Sequence, residues 1–425
     1  MRFQELPQFE LNDLLVKMKA EYEAIKSIGL KLDMSRGKPG CDQLDISMDI
    51  LDEINSKSDI KSSDGTDCRN YGVLDGIPEI KTIYAELLDV KPENLIIFGN
   101  SSLNIMFDYI SQCMTHGAGS TPWMLQGKIK FACPVPGYDR HFTILEYFGI
   151  EMINIPMLAE GPDMDILEQV IKDSSVKGMF CVPKYSNPEG KTFSDEVVRR
   201  IAALKPAASD FRIIWDNAYS EHDLYDESDM LLNILNECVK KGSEDMVIEV
   251  ASTSKISFPG SGVSVLAASD NNISAIKKRL FVQTIGYDKI NQLRHARYFK
   301  NAAGIKAQMK RHALILEPKF KSVLDSFEKE LGGKGIAEWN NPRGGYFISL
   351  DVLSGCAKRT VELCKQAGVV LTPAGATFPY GNDPYDSNIR IAPTLPPVEE
   401  LEVAVNLLCL SVKIAAAEKL LTNMN

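Results

Sequence analysis

Lys255 is the residue around which chemistry is most readily built in this 425-residue sequence. Val247-Ile248-Glu249-Val250-Ala251 is a largely β-branched run, and it ends in Ser252-Thr253-Ser254-Lys255. A loop rich in Ser, Pro and Gly follows, from Ile256 to Gly262. A loop at a strand end opens to a pocket while the sheet holds it rigid. An amine that is partly desolvated there gives up its proton more readily and can act as a nucleophile. Taken alone, a lysine beside a turn is an ordinary solvated side chain. Its role therefore depends on what the other strand ends carry.

Four of them carry reactive or recognition-competent groups. Ile129–Ala132 runs into Pro134-Val135-Pro136-Gly137-Tyr138, and Gly178–Val182 runs into Ser186-Asn187-Pro188-Glu189-Gly190. Arg212–Trp215 ends at Asp216-Asn217-Ala218-Tyr219, and Asn388-Ile389-Arg390-Ile391-Ala392 follows much later. Each has a bland reading: a turn tyrosine, an Asn-Pro turn, a helix-capping aspartate, a strand-edge arginine. A guanidinium is also the side chain best shaped to fork onto a carboxylate. Gly99-Asn100-Ser101-Ser102 opens a helix, so it is either a plain N-cap or a cradle of free N–H groups for an anion.

The elements that must position these residues alternate. Strands are expected at 95–98, 129–132, 178–182, 212–215, 247–251 and 263–268, with a helix from Leu103 onward and another at 77–88. That alternation implies a largely parallel sheet covered by helices. Spaced apolar residues predict an amphipathic helix over 8–30, and 271–328 reads as a long helical region. Strands at 344–350, 369–372 and 388–392, between helices at 358–367 and 397–420, form a different tail. The expected division is a large domain over 50–315 and a smaller α+β domain made of 1–49 plus 316–425.

Composition narrows the function classes. The chain is 44% hydrophobic and 24% charged, with a formal net charge of −10. An acidic chain without a basic run argues against nucleic acid or anionic membrane as the main partner. Its first residues lack the apolar core of a signal peptide, and no apolar run approaches the ~20 residues of a membrane span. The nine cysteines are scattered without Cys-x-x-Cys, and the five histidines without a metal-ligand pattern, so a cytoplasmic protein with no metal site is expected.

Tyr138, Asn187, Asp216 with Tyr219, Lys255 and Arg390, in that order and each in its strand context, resemble the fold-type I, pyridoxal-phosphate-dependent class I aminotransferases. The resemblance covers nearly the whole chain. Leu32-Asp33-Met34-Ser35-Arg36-Gly37-Lys38-Pro39, Gly99-Asn100-Ser101-Ser102 and Asn291-Gln292-Leu293-Arg294-His295 look like the MocR-like or type Ic aspartate aminotransferases. The resemblance implies a pyridoxal 5'-phosphate cofactor held by Lys255 as a Schiff base, with the freed amine later carrying a proton. It implies Asp216 as partner of the cofactor ring nitrogen, Asn187 and Tyr219 as partners of its phenolic oxygen, and Tyr138 as the stacking ring. Asn100, Ser101, Ser102 and Ser252 would contact the phosphate, joined by Tyr71 from the neighbouring subunit of a homodimer. Arg390 and Gly37 would receive the substrate α-carboxylate, beside Asn187. For a second carboxylate, Arg140 is favoured, then Lys289 or Arg294 across the dimer interface, then Arg36.

The expected activity is amino transfer between aspartate or glutamate and a 2-oxo acid such as 2-oxoglutarate. The same residues could serve an alanine-type transaminase, a lyase or a non-catalytic sensor. One departure stands out: the family usually places a phosphate-binding arginine shortly after the lysine, where this chain has Gly260-Ser261-Gly262-Val263. Ser252-x-x-Lys255 also matches a penicillin-recognising hydrolase motif, but such a motif should open a helix, and here a Pro-Gly loop follows.

Overall fold

The computed structural model describes residues 2–424. In chain order its strands are β1 (Leu32–Asp33), β2 (Leu95–Ile97), β3 (Lys130–Val135), β4 (Glu151–Leu158), β5 (Gly161–Pro162), β6 (Val176–Cys181) and β7 (Arg212–Asp216). β8 (Val247–Ser252), β9 (Ser264–Ala268), β10 (Ala337–Trp339), β11 (Ile348–Val352), β12 (Val369–Val370) and β13 (Asn388–Ile391) follow. Eight of them form one sheet in the order β2-β9-β8-β7-β6-β3-β4-β5. The block β8-β7-β6-β3-β4 is parallel throughout; β9 joins β8 and β2 antiparallel, and β5 joins β4 antiparallel.

Burial explains the strand sequences. β6 and β7 are buried along their whole length, as expected of parallel strands covered on both faces, so they read as continuous rather than alternating apolar runs. Ile213, Trp215 and Met179 face one apolar core, and Ile214 and Phe180 face the other. Four consecutive parallel strands then place their carboxyl ends side by side. Those ends lead to Lys255, Asp216, Asn187 and Tyr138, which is why residues up to 117 positions apart can share one site.

A third core gathers the remaining elements. The helix Gln8–Lys26, the terminal helix Val398–Met424, the three-stranded antiparallel sheet β10-β11-β13 and the β1–β12 pair pack there. The helix Ala302–Leu331 spans the change of core: its Ile305 and Met309 face the sheet core, whereas Leu316, Phe320, Val323 and Phe327 face the third. The expected helical region over 271–328 is therefore three helices, Asp270–Gln283, Lys289–Phe299 and Ala302–Leu331. Asp288 and Asn301 N-cap the second and third, each accepting a backbone N–H. Among the described residues no helix is long and apolar enough to cross a membrane. All nine cysteines are unpaired, Cys41 exposed and the others buried.

One buried acid in the sheet has a thermodynamic consequence. Glu249 on β8 is 4% exposed, and its Oε1 accepts a hydrogen bond from Asn217 Nδ2 at 2.9 Å. Burial raises its pKa to about 7, against the smaller opposing effect of Asn217. Below about pH 4.5 this acid is protonated whether the chain is folded or not. As pH rises towards 7 the unfolded chain releases the proton and the folded chain keeps it, so stability falls across that window by up to about 3 kcal/mol. Glu249→Gln should flatten the stability profile between about pH 5 and 7 and exceed the parent at pH 8, as read by thermal midpoints across pH.

Candidate active site

Asp216 closes β7 and is 2% exposed. Its Oδ2 meets His141 Nε2 at 3.0 Å, and its buried Oδ1 has no hydrogen-bond partner in the protein. With the proton on Nε2, His141 donates to the carboxylate. His141 comes from the first turn of the helix Asp139–Tyr147, stacked on Phe180 at 4.5 Å and edge-on to Tyr138. A carboxylate half-satisfied in a low-dielectric interior calls for a further cation or donor at the free oxygen.

Lys255 is half-buried in the turn after β8. Its Nζ lies 4.9 Å from the centre of the Tyr219 ring and 5.7 Å from that of Tyr346. Two histidines hold that turn, His312 through the turn's backbone and His295 through the Ser257 side chain. His312 Nε2 donates to Ile256 O (3.0 Å), which leaves its Nδ1 to accept from Gln43 Nε2 (3.1 Å). The same Gln43 amide donates to Tyr346 Oη (2.9 Å), and Gln43 Oε1 accepts from Gly40 N–H. His295 Nδ1 donates to Asn291 O (2.8 Å), leaving Nε2 to accept from Ser257 Oγ (2.9 Å). Burial lowers the pKa of His295 to about 4 and pushes that of His312 down as well, which favours the uncharged form of both.

Ser252 Oγ donates to Ser254 Oγ (3.1 Å), which donates to Asn100 O (2.5 Å), so the lysine turn faces the start of the helix Ser102–His116. Ser101 is the N-cap of that helix, yet its side chain caps nothing, and the first-turn N–H groups have no side-chain acceptor. The loop after Lys255 is tied to the helix Lys289–Phe299: Arg294 Nη2 donates to Ser261 Oγ (2.6 Å), and Asn291 Nδ2 donates to Gly262 O (2.9 Å). A guanidinium from another helix thus reaches the loop that lacks its own arginine.

The cavity above these groups has a volume of about 590 Å³ and is lined by Tyr138, Asn187, Tyr219, Lys255, Gly37 and Arg390, among others. Burial raises the Tyr138 pKa to about 12 and lifts that of Tyr219 further, so both phenols are protonated at neutral pH. Arg390 is 6% exposed, packed over Phe347 at 4.9 Å, and its Nη1 reaches Asp139 Oδ1 (2.7 Å) and Asn187 Oδ1 (3.2 Å). A side chain at Gly37 would put its Cβ 2.6 Å from the Phe347 ring, so only glycine lets that ring lie beneath the arginine. Arg140 and Arg36 line the cavity, as do Lys38 and Lys365, whereas Lys289 and Arg294 do not. Tyr71 is 82% exposed and lies outside the cavity of its own chain.

The structure therefore brings together Tyr138, Asn187, Asp216, Tyr219, Lys255, Gly37, Arg140 and Arg390, with Asn100, Ser101, Ser102 and Ser252 clustered behind the lysine turn. Reasoning from sequence missed His141, Asp139, Gln43, His312 and Tyr346. For His141 a signal existed: it falls three residues after Tyr138, one helical turn into a helix that begins there.

Reactive groups at the carboxyl ends of parallel strands, around a buried carboxylate and an uncapped helix start, place the chain in the class of α/β proteins that build their site at the strand ends. Comparison with known proteins narrows the class. The family model for aspartate amino-transferase matches residues 6–424. A Corynebacterium glutamicum aspartate aminotransferase is 47% identical over 94% of this chain and 93% of its own. The crystal structure of an aspartate transaminase from the same organism superposes with a TM-score of 0.97 at 45% identity, covering 99% of each chain. An α-aminoadipate aminotransferase from Thermus thermophilus shares the fold at 18% identity (TM-score 0.74, covering 91% of this chain and 93% of that one). The chain belongs to the aspartate amino-transferase family.

The family implies pyridoxal phosphate, and the residues present fit it. The orphaned Asp216 Oδ1 suits a protonated ring nitrogen, the uncapped helix start suits a phosphate, and Lys255 offers the amine. His141→Leu should strip Asp216 of its protein donor. The cofactor-free variant should lose about 1–3 kcal/mol, seen as a lower thermal midpoint, while His141→Gln should retain part of it.

Proposed function

We propose that the protein transfers the amino group of aspartate or glutamate to a 2-oxo acid such as 2-oxoglutarate. The observation that carries this reading is one cavity containing Lys255, Arg390, Arg36, Lys38, Arg140 and Lys365, with Asp139 as the only carboxylate among its described lining residues. Such a cavity selects substrates with two negative groups. The name of the C. glutamicum relative supports the same substrate.

Bound pyridoxal phosphate would supply the electron sink that stabilises charge developing at the substrate α-carbon. The protein's own residues do the rest. Lys255 would hold the cofactor covalently and, once displaced, take and return the α-proton through its amine. Asp216, kept in place by His141, would hold the ring nitrogen in its protonated form. Tyr219 Oη and the Asn187 amide would donate to the phenolic oxygen, and Tyr138 would stack on the ring. The N–H groups at Ser101 and Ser102, with Asn100 and Ser252, would hold the phosphate, and Arg294 would bring positive charge to the neighbouring Ser261. Arg390 would fork onto the α-carboxylate, with the Gly37 backbone beside it, and Arg140 would take the distal one.

A homodimer completes this reading. Tyr71, Phe281, Val282 and Ile285 are exposed, and their segments are joined by Lys289 Nζ donating to Gly72 O (2.9 Å). A second copy covering this surface would bury apolar groups and bring Tyr71 towards the neighbouring phosphate. The unpaired cysteines support a cytoplasmic location. The split of core residues along the helix Ala302–Leu331 supports the two-domain division near residue 315.

A panel of amino donors against 2-oxoglutarate tests the proposal. Aspartate should be the preferred donor. Arg140→Ala should lower kcat/KM for aspartate by about 100-fold while changing that for alanine by less than about threefold. Equal losses on both donors would assign Arg140 to something other than the distal carboxylate.

A further inference from the structure

Arg390 is not free in this structure. Its Nη1 donates to Asp139 Oδ1 at 2.7 Å and to Asn187 Oδ1 at 3.2 Å, which commits both hydrogens of that nitrogen. Its Nε has no partner but is enclosed by protein, so a ligand cannot reach it. A carboxylate that forks onto a guanidinium needs two neighbouring N–H groups. With Nε walled off, the only fork left uses Nη1 and Nη2, and it requires a hydrogen that Nη1 has already given away. Asn187 is 3% exposed, whereas the Asp139 side chain is about one-third exposed and lines the cavity. The contact that can yield is the one to Asp139.

We propose that Asp139 is a resident carboxylate that occupies Arg390 in the absence of substrate and is displaced by the incoming α-carboxylate. The inference rests on the reading of Arg390 as the carboxylate site. It gives the ion pair two consequences. Between turnovers Arg390 is not left as an uncompensated buried charge. After turnover Asp139 competes with the product carboxylate and promotes its release, so it lowers the affinity for every carboxylate ligand. The pair also joins two packing units: Asp139 begins the helix that follows β3 of the large sheet, and Arg390 lies on β13 beside the third core. Ligand entry therefore exchanges a contact between those units for a contact to the ligand.

The test is equilibrium binding of maleate, a dicarboxylate with no amino group to react, to the holoenzyme, followed by the cofactor's absorption band or by calorimetry. Asp139→Asn should bind maleate about tenfold more tightly than the parent, and Asp139→Glu, which restores the competing charge, should stay within about threefold of it. Asp139→Ser serves as a second neutral variant should Asp139→Asn fold poorly, and it should also tighten binding. Equal or weaker binding in the neutral variants, with the parent still binding, would overturn the proposal and make Asp139 a positioning residue for Arg390. Arg390→Lys separates the two readings. If it binds maleate as well as the parent does, Arg390 is not the carboxylate site, and both readings fall.

Discussion

The constraint on which the site depends is the burial of one carboxylate. Asp216 ends a strand enclosed on both faces, where an ionised group without partners is costly. His141 relieves one oxygen, and the other faces no donor of the protein. The proposed reading makes a cationic nitrogen of the cofactor the missing partner. On that view the carboxylate and the bound group stabilise each other: Asp216 raises the nitrogen's proton affinity, and the nitrogen relieves Asp216. The strand order suits the same need. A group bound against Asp216 lies between the ends of β8 and β6, so Lys255 and Asn187 come from its flanking strands.

The surroundings of Lys255 show a second design. The turn after the lysine is fixed by polar groups: His312 bonds its backbone, His295 bonds the Ser257 side chain, and Gln43 links His312 to Tyr346. Burial favours the uncharged form of these histidines, which position the turn without adding positive charge beside the amine. Positive charge is concentrated instead in the cavity mouth, at Arg36, Lys38, Arg140 and Lys365, where it can attract an anionic substrate.

The parallel core of the fold was legible because fully buried strands leave continuous apolar runs, as at 178–182 between Gly178 and Pro183 and at 213–215 before Asp216. Groups immediately after those strands, such as Asp216 and Lys255, were legible for the same reason. The strand Glu151–Leu158 was not, since it is only partly covered and carries Pro156. The breaks at Thr284–Asp288 and Lys300–Asn301 were also hidden, because apolar periodicity continues across them while Asp288 and Asn301 restart the helices. Gln43 and His312 lie 269 positions apart in the chain, so nothing local marks their contact. The charge state of the site was hidden too. Arg390 was legible as a candidate for carboxylate binding, but the aspartate that holds it lies 251 positions earlier, beside Tyr138.

Everything proposed for the site turns on the amine of Lys255 holding the cofactor. Borohydride reduction of the holoenzyme, followed by proteolysis and mass spectrometry of the labelled peptide, tests it directly. The phosphopyridoxyl label should lie on Lys255, and Lys255→Ala should yield no labelled peptide. A label on Lys184, Lys365 or any other lysine of the unaltered enzyme would contradict it.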